Sequence, residues 1–271
     1  MSTGEACPNC GAALVGRYCH ECGQKRIEPR ERRFAWFVQQ VFRAVAMLDG
    51  RLPRSAGRLL LRPGRLDRDW LEGRRRVNVA PLSLFLLANL VYFFHPPLSD
   101  LNLSLHEQTT QGLYGPLAGS LVEGRLAARG LALAEYASIY REHATSMAKL
   151  MVILHVPMLA AVLMALYPRR DIFYVDHIAV ALHFWAFLLV HMMATPTLLE
   201  LLHRATGVGS RGVFQLVMLL VVLGYAWQQL RVGYGQRGWL AAAKLPLLLV
   251  GLFASHMLYR FVQFLVVFAT T

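Results

Sequence analysis

The sequence predicts an all-α polytopic membrane protein with a small cysteine-rich head at its N-terminus. Three observations favour this fold class. Hydrophobic residues make up 56% of the 271-residue chain. Five apolar segments approach the roughly 20 residues that a helix needs to cross a bilayer. All four cysteines lie within the first 22 positions, and none follows them.

The head, residues 1–24, contains two C-x-x-C pairs made by Cys7 with Cys10 and by Cys19 with Cys22. Two intervening residues let both thiolates of a pair point inward from one tight turn, and the glycine after each pair supplies the backbone freedom of that turn. Two such turns form a closed tetrahedral site of four thiolates, which suits zinc. We therefore predict one structural zinc ion per chain.

Disulfides, an iron–sulfur cluster and a redox dithiol are the alternative interpretations of these cysteines. Met1–Ala6 is short and polar, without the apolar stretch of a secretory leader, so we expect a reducing compartment in which disulfides are rare. Two symmetric knuckles outside a βαβ context argue against a thioredoxin-like pair. Structural zinc is therefore the favoured interpretation.

A basic connecting region at residues 25–76 follows the head. Within it, Phe34–Leu48 is apolar on most sides, but it is short for a span and Arg43 interrupts it, so we expect a helix lying in the membrane interface. Arg51–Leu61 is predicted to be a second, amphipathic helix, which ends at the Arg-Pro-Gly sequence of residues 62–64.

Three consecutive arginines, Arg74, Arg75 and Arg76, stand just before the first apolar segment. Basic residues at this position attract anionic phospholipids by about 1 kcal/mol each. We therefore predict that all three contact lipid head groups. A nucleic-acid partner for this basic arm is the weaker interpretation, because the apolar helix beside it already supplies a membrane partner.

The remainder of the chain, residues 77–271, is predicted to be a transmembrane bundle of about five helices. The segment at 95–146 is expected to be an outer helical loop, since Leu117–Arg129 and Leu131–Ser146 have helical apolar spacing. The predicted spans are residues 77–94, 147–167, 176–199, 213–230 and 245–268.

The distribution of basic residues predicts the orientation of this bundle. A cytosolic N-terminus places 21 of the 28 Lys and Arg residues on the cytosolic side and six on the outer side, as the positive-inside rule requires. The same orientation keeps the cysteines in a reducing compartment. We therefore predict a multi-pass protein of the bacterial inner membrane, with a cytosolic N-terminus and a periplasmic C-terminus.

Four ionisable residues at similar depth in the predicted spans form a candidate polar site: His155, His191, His256 and Arg260. Three of them lie about 12 Å below the outer surface, and His256 lies one turn deeper. Such residues are functional candidates by default. Three interpretations remain open: single interhelical hydrogen bonds with a snorkelling arginine, an anion or lipid phosphate site, and a metal or heme site.

Motifs of the common catalytic sites are missing from the sequence, including G-x-S-x-G, H-E-x-x-H and a glycine-rich phosphate loop. The G-Y-G-Q-R-G sequence at Gly233–Gly238 follows no predicted strand, so we interpret it as a turn between spans. The sequence therefore leans away from an enzyme.

Several stretches, taken in order, resemble the DUF3667 family of bacterial membrane proteins of unknown function. The resemblance implies a zinc-ribbon head on a multi-span inner-membrane body, and it brings no activity and no catalytic residues. The stretches are C-P-N-C-G and Y-C-H-E-C-G-Q-K in the head, L-L-L-R-P-G at 59–64, E-G-R-R-R-V-N-V-A-P-L at 72–82 and Y-V-D-H-I-A-V-A-L-H-F-W-A-F at 174–187.

These observations lead to three functional hypotheses. The leading one is a non-enzymatic adaptor or regulator whose cytosolic ribbon docks a protein partner, because a small closed metal site suits docking better than chemistry. The second is a transporter or a lipid- or anion-handling protein that uses the outer polar site. The third is an intramembrane heme or metal protein. The sequence predicts neither the ligand nor the oligomeric state.

Overall fold

The protein is helical throughout most of its length. A computed structural model describes residues 6–26, 51–93, 103–110, 113–207 and 211–271. Of these residues 76% are helical, and the same ranges contain two isolated β-bridges in the head but no strand. The all-α prediction is therefore confirmed. The predicted interfacial helix Phe34–Leu48 lies outside the described residues.

The chain divides into two compact units, which are treated separately below. The first contains Met1–Tyr92 and Ala160–Leu248, and the second contains Phe93–Leu159 and Leu249–Thr271. The helices are α1 (Leu52–Leu61), α2 (Arg65–Leu71), α3 (Pro81–Phe93), α4 (Leu105–Thr110), α5 (Gly115–Arg129), α6 (Leu133–Met151), α7 (His155–Leu166), α8 (Tyr174–Thr206), α9 (Arg211–Gln228) and α10 (Gly238–Thr270).

Helix α1 matches the amphipathic helix predicted from the sequence. A proline in its first turn favours its start, since proline has no N–H to leave unpaired there. The Arg-Pro-Gly sequence then ends it, and Gly64 has a positive φ of 79°. A β-carbon at Gly64 would lie 2.9 Å from the Gln228 carbonyl oxygen and the Gly233 nitrogen. Only glycine therefore allows this turn to pack against the end of α9.

Helix α3 begins four residues later than the predicted span at 77–94. The Asn78 side chain donates to Asp69 Oδ2 at 3.0 Å, and the Val79 N–H donates to Ser55 Oγ at 3.0 Å. These bonds hold the backbone before Pro81 in an extended connection to α1 and α2. The helix therefore starts at Pro81.

Helix α8 forms the centre of the first unit. Every residue from His177 to Phe187 is buried, as are Leu189 and His191. A helix that is apolar on all sides is suited to such a central position. Helices α1 and α2 and the end of α9 pack around this segment. At the end of α9 the backbone forms one π-helical turn, Gln229–Gly233.

Within the described residues, three helices are long and apolar enough to cross a membrane: Tyr174–Thr206, Gly212–Gly233 and Gly238–Thr270. They contain the last three predicted spans. The first two predicted spans correspond to shorter apolar helices, Pro81–Tyr92 and Val152–Leu166. Three candidate membrane-crossing helices are therefore present, and the prediction of about five spans is not confirmed.

The predicted span at 147–167 is interrupted. Helix α6 ends at Met151, a 3₁₀ turn covers Val152–Leu154, and α7 follows. Pro157 lies one turn after this interruption. Because proline cannot donate to the carbonyl four residues before it, an α-helix is weakened at this point.

The second unit has an aromatic core. Tyr136 and Tyr140 of α6 are fully buried with Val122 of α5 and Phe264 of α10. The rings of Tyr140 and Phe264 lie 6.3 Å apart. The helices predicted at Leu117–Arg129 and Leu131–Ser146 are confirmed as α5 and α6, which join at Gly130 with a φ of 66°.

Candidate metal centre and buried polar network

The head contains two tight turns with the same backbone geometry. The Gly11 N–H donates to the Cys7 carbonyl, and the Gly23 N–H donates to the Cys19 carbonyl, both at 2.8 Å. The two glycines have φ values of 80° and 65°. This conformation is why each cysteine pair requires a following glycine.

The four cysteine sulfurs come together between these turns. All four lie within 4.8 Å of one another, with Sγ–Sγ distances of 3.6 Å for Cys7–Cys22 and 3.5 Å for Cys10–Cys19. A disulfide needs about 2.05 Å, whereas a tetrahedral metal with bonds of about 2.3 Å separates its thiolates by about 3.8 Å. The prediction that the four cysteines form one site is confirmed, and the site is suited to a metal ion.

The thiols of Cys22 and Cys10 differ in pKa. The backbone N–H of Gln24 is the main cause that lowers the pKa of Cys22 to about 6. The backbone N–H of Ala12 acts in the same direction on Cys10, but burial and the neighbouring thiols outweigh it and raise its pKa to about 12. A metal ion that takes all four sulfurs as thiolates therefore displaces protons, and its affinity rises with pH.

The second turn of the head packs against the segment between α2 and α3. The Gln24 side chain is buried and donates to the Gly73 carbonyl at 2.8 Å. A β-carbon on Gly23 would lie 2.8 Å from Arg76 Nη2. Arg51 also donates to the Arg76 carbonyl at 2.7 Å. The metal-binding turn is thereby fixed to the basic region that precedes the first apolar helix.

A buried carboxylate, Asp69, organises this basic region. It is 2% exposed and accepts from Arg74 Nε and Nη2 at 3.1 and 2.7 Å, from Arg58 Nη1 at 3.2 Å and from Asn78. Burial by itself raises the pKa of Asp69, but the hydrogen bonds from Arg74 and Asn78 outweigh it and lower the pKa below its usual value. The group therefore stays ionised in its buried position.

Two of the three arginines that the sequence assigns to lipid head groups, Arg74 and Arg75, have protein partners. Arg74 pairs with Asp69 and Glu72. Arg75 lies 3.6 Å from Asp176 and stacks on Trp70 with its guanidinium carbon 4.2 Å from the ring centre. Their contact with lipid remains a prediction, and the sequence did not indicate these ion pairs.

A second buried pair joins α2 to α8. His183 Nδ1 lies 2.7 Å from Asp67 Oδ1, and the two residues are 2% and 1% exposed. Asp67 lies two residues before Asp69 on the seven-residue helix α2, so this one helix supplies both buried carboxylates. Sequence reasoning missed this pair because its partners are 116 residues apart and the stretch around Asp67 is strongly charged.

A third buried polar contact lies beside the π-helical turn. His177 Nδ1 is 2.7 Å from the Tyr234 hydroxyl, and the Tyr234 ring stacks on Tyr167 with centres 3.8 Å apart. Gln229, within the turn, donates to the Val180 carbonyl at 3.1 Å. The sequence analysis treated residues 233–238 only as a turn, so it did not predict this role of Tyr234.

An open cleft of about 280 Å³ lies next to this contact in the first unit. It is formed by the end of α2, the loop before α8 and the backbone after the π-helical turn. Its polar lining carries both signs of charge. The cleft residues are Arg68, Leu71, Glu72, Arg169, Asp171, Ile172, Asp176, Gly233, Tyr234 and Gly235.

Of the predicted intramembrane polar site, the structure brings together His155 and His256. His155 Nδ1 lies 3.3 Å from the Val152 carbonyl, so Nδ1 donates there and Nε2 accepts from His256 Nδ1 at 3.3 Å. The ring of Tyr259 packs 4.0 Å from that of His155. Arg260 lies one turn after His256 on the same helix.

His191 is part of the first unit and has other partners. Its Nε2 donates to the Met218 carbonyl at 3.2 Å, and Thr195 donates to its Nδ1 at 2.7 Å. Its ring stacks on Phe187. Both ring nitrogens are thus used in the interhelical hydrogen bonding that was one of the open interpretations.

The long apolar helices and the four-cysteine head define a class, a helical membrane protein with a small head whose cysteines form a candidate metal site. Within that class, residues 49–93 match the model of the DUF3667 family, described as a protein of unknown function. This match confirms the resemblance predicted from the sequence, and it covers α1, α2, α3 and the Asp69 network. No curated protein and no solved structure matches the chain.

Proposed function

We propose that the protein is a non-enzymatic adaptor of the bacterial inner membrane, whose zinc ribbon presents the loop of residues 13–18 to a cytosolic protein. The observation that carries this proposal is the orientation of the ribbon on its own chain. The turn around Gln24 is packed against Gly73, while the loop between the two cysteine pairs exposes Val15 at 88% and Tyr18 at 61%.

The closed coordination and small size of the ribbon favour docking over catalysis. Four thiolates complete the coordination of zinc and leave no position for substrate or water. A segment of about 20 residues has no core of its own, so metal binding provides its folding free energy. Such a unit holds a short loop in one conformation, which lowers the entropy cost of binding a partner.

The position of the ribbon supports a cytosolic partner. The excess of basic residues on the N-terminal side favours a cytosolic N-terminus, and four cysteines grouped as one candidate metal site rather than as disulfides suit a reducing compartment. The proposed cytosolic N-terminus and periplasmic C-terminus together require that the chain crosses the membrane an odd number of times.

Site-specific photocrosslinking in cells tests this proposal. The photoreactive amino acid is placed at Val15 or Tyr18 of the full-length protein, and in a matched control at Glu21, which is also exposed but lies in the second turn. We expect the same single protein to be crosslinked from positions 15 and 18 and not from 21. The double variant V15D/Y18D should lose the complex while retaining its metal.

Two results would contradict the docking role of the loop. If the metal-loaded protein yields no crosslinked protein from positions 15 and 18, or the same proteins from all three positions, the loop is not a docking surface. Measuring metal content in each variant separates loss of the partner surface from loss of the ribbon fold.

The contact between His155 and His256 favours one second candidate, a lipid- or anion-handling protein. Arg260, one turn after His256 on the same helix, would bind one anionic group beside this imidazole pair. Arg260→Ala should then abolish binding of an anionic lipid such as phosphatidylglycerol, whereas Arg260→Lys should retain part of it. Equal lipid binding by both variants and by the wild type would rule this candidate out.

A heme or metal enzyme at these histidines has less support. Two imidazoles on opposite sides of a heme iron at about 2 Å each would hold their nitrogens about 4 Å apart, whereas His155 Nε2 and His256 Nδ1 are 3.3 Å apart. A tetrahedral metal needs further protein ligands, and within the described ranges the cysteine cluster is the group in which three or more His, Cys, Asp or Glu side chains come together.

A further inference from the structure

The buried polar atoms of the first unit that have no hydrogen-bond partner within the described part of the chain include three on one carboxylate and two imidazoles. They are Asp67 Oδ2, His183 Nε2 and His177 Nε2. The residues that carry them are 1%, 2% and 0% exposed. Buried polar groups are nearly always paired, because an unpaired one costs about 1–3 kcal/mol. Two of the three atoms belong to side chains in direct contact, Asp67 and His183, so this pair has unused capacity to bind something small.

The pair Asp67–His183 offers two positions for one proton. The bond from His183 Nδ1 to Asp67 Oδ1 occupies one atom of each side chain, which leaves Asp67 Oδ2 and His183 Nε2 able to accept a proton. The hydrogen bond already holds one proton, and with only that proton the pair carries one negative charge. A second proton on either of the other two atoms makes the pair formally neutral.

Within the described ranges, the arginines of α2 itself, Arg65 and Arg68, pair with Asp69 and Glu72 rather than with Asp67. Arg58 of α1 pairs with Asp69 rather than Asp67. Tyr225 of α9 and Tyr234 after the π-helical turn face the Asp67 carboxylate, and neither is a cation. A proton is therefore the positive charge that would neutralise the Asp67–His183 pair.

The backbone at Gly233 and Tyr234 connects the surroundings of this pair to the open cleft. A β-carbon on Gly233 would lie 3.0 Å from Asp67 Cβ, so the backbone at the end of the π-helical turn passes directly over the carboxylate side chain. The next residue, Tyr234, lines the cleft and holds His177 at 2.7 Å. Asp176, adjacent to His177, lies at the mouth of the cleft.

The π-helical turn is what creates this arrangement. A π turn adds one residue to the helix and is found most often at functional sites. Here it releases Gln229 to bond the Val180 carbonyl of α8. It also places Gly233 over Asp67 and Tyr234 beside His177.

We propose that Asp67 and His183 form a proton-binding site that exchanges with the aqueous cleft through Tyr234 and His177. Binding transfers one proton from water to His183 Nε2 or Asp67 Oδ2, and release returns it to water. The only bond that forms or breaks is that N–H or O–H bond. Chains of carboxylate and imidazole groups serve this purpose in membrane proteins that move or sense protons.

Infrared difference spectroscopy of the full-length protein in lipid nanodiscs tests this proposal. Spectra recorded across the pH range in which the protein stays folded should contain a carboxylic acid or imidazolium signal that titrates. Asp67→Asn and His183→Gln, which keep the shape of each side chain, should each remove it. Asp171→Asn, which changes an exposed acid of the cleft, should leave it in place.

Exchange into D₂O then distinguishes a proton-binding site that is open to the cleft from a buried pair that only stabilises the fold. The signal of the wild type should shift to its deuterated position within the time of buffer exchange. Tyr234→Phe should slow this shift by at least about tenfold, because a positioned proton-transfer group contributes roughly 10²–10⁴-fold. The fold of each variant is checked by thermal melting.

Several outcomes would overturn the proposal. They are a wild-type spectrum without any titrating signal, a signal that survives both Asp67→Asn and His183→Gln, and a signal that does not exchange with D₂O. An exchange rate that Tyr234→Phe leaves unchanged would also contradict it, because the route to the cleft would then be wrong. If the variants fail to fold, a wild-type spectrum without a titrating signal that exchanges with D₂O still overturns the proposal.

Discussion

At the scale of single residues, Asp69 has the strongest structural role among the described side chains of the basic region. It accepts hydrogen bonds from Arg74, Arg58 and Asn78 and lies within the segment that matches the DUF3667 family. A buried carboxylate with several donors is costly to alter, because its removal leaves the positive partners uncompensated. Two predictions follow from this geometry.

The first prediction concerns the removal of the Asp69 charge. Asp69→Asn should destabilise the protein by about 3–5 kcal/mol, the usual effect of breaking a buried ion pair. Glu72→Gln is the matched control, since Glu72 is more exposed (37%) and surface pairs contribute about 0–1 kcal/mol. Thermal melting in detergent measures both variants. Equal melting temperatures for the two would show that the network is not stabilising.

The second prediction concerns acid stability. Because the pKa of Asp69 is lowered in the folded state, its contribution is complete above the ordinary aspartate pKa of about 3.9 and is lost as the pH falls further. The melting temperature of the wild type should therefore drop below that pH. Asp69→Asn should lack this part of the drop, and an identical acid profile for the variant would contradict the assignment.

At the scale of elements, the turn between α1 and α2 depends on one glycine. Gly64 has a positive φ and backbone atoms of Gln228 and Gly233 next to it. Gly57, in the middle of α1, has nothing within 4 Å of its β-carbon position. The two glycines therefore form a matched pair for substitution.

The third prediction uses this pair. Gly64→Ala should lower the free energy of unfolding by about 1–3 kcal/mol or more through backbone strain and displacement of the end of α9. Gly57→Ala should be neutral or stabilise by about 0.5–1 kcal/mol, because alanine favours a helix. Thermal melting of both variants checks this. A loss of stability in Gly57→Ala but not in Gly64→Ala would refute the packing described for the turn.

The elements that could be predicted from the sequence are those governed by local patterns. The spacing of Cys7, Cys10, Cys19 and Cys22 is sufficient for the metal-binding turns, because each turn is closed within five residues. The Arg-Pro-Gly sequence similarly predicts where α1 ends. The start of α3 at Pro81 was not predictable, since it depends on bonds from Asn78 and Val79 to α2 and α1.

At the scale of the whole molecule, the buried polar contacts were missed for the same reason. Asp67 meets His183, and His177 meets Tyr234, across 116 and 57 positions. Apolar periodicity predicts which helices are buried but not which polar side chains meet. The sequence did contain one signal of this buried pairing. Asp67 and Asp69 are acids two positions apart in a basic stretch, and unlike charges within such a stretch suggest internal pairing.

The fourth prediction concerns removal of the metal from the intact protein. Chelation should unfold the ribbon alone, because a metal-held segment has no core of its own, while the helical body keeps its own packing. Circular dichroism should retain nearly all helical signal, and protease should cleave residues 6–26 only after chelation. Loss of the helical signal on chelation would show that the metal holds the body as well.

The proposed topology makes a fifth prediction. Single cysteines placed at Arg170, before α8, and at Thr206, at the other end of the same helix, should react from opposite sides of the membrane in a variant whose own cysteines are replaced. The cytosolic side should be that of Arg170, in keeping with the basic residues of that loop. Labelling of both positions from the same side would contradict the assignment of α8 as a span.

We propose that the N-terminal cysteines hold one zinc ion that forms the docking ribbon. Elemental analysis of the purified full-length protein measures this metal. We expect one zinc ion per chain, and none in a variant with Cys7→Ser and Cys22→Ser. A protein that contains no metal, or iron in place of zinc, would contradict it.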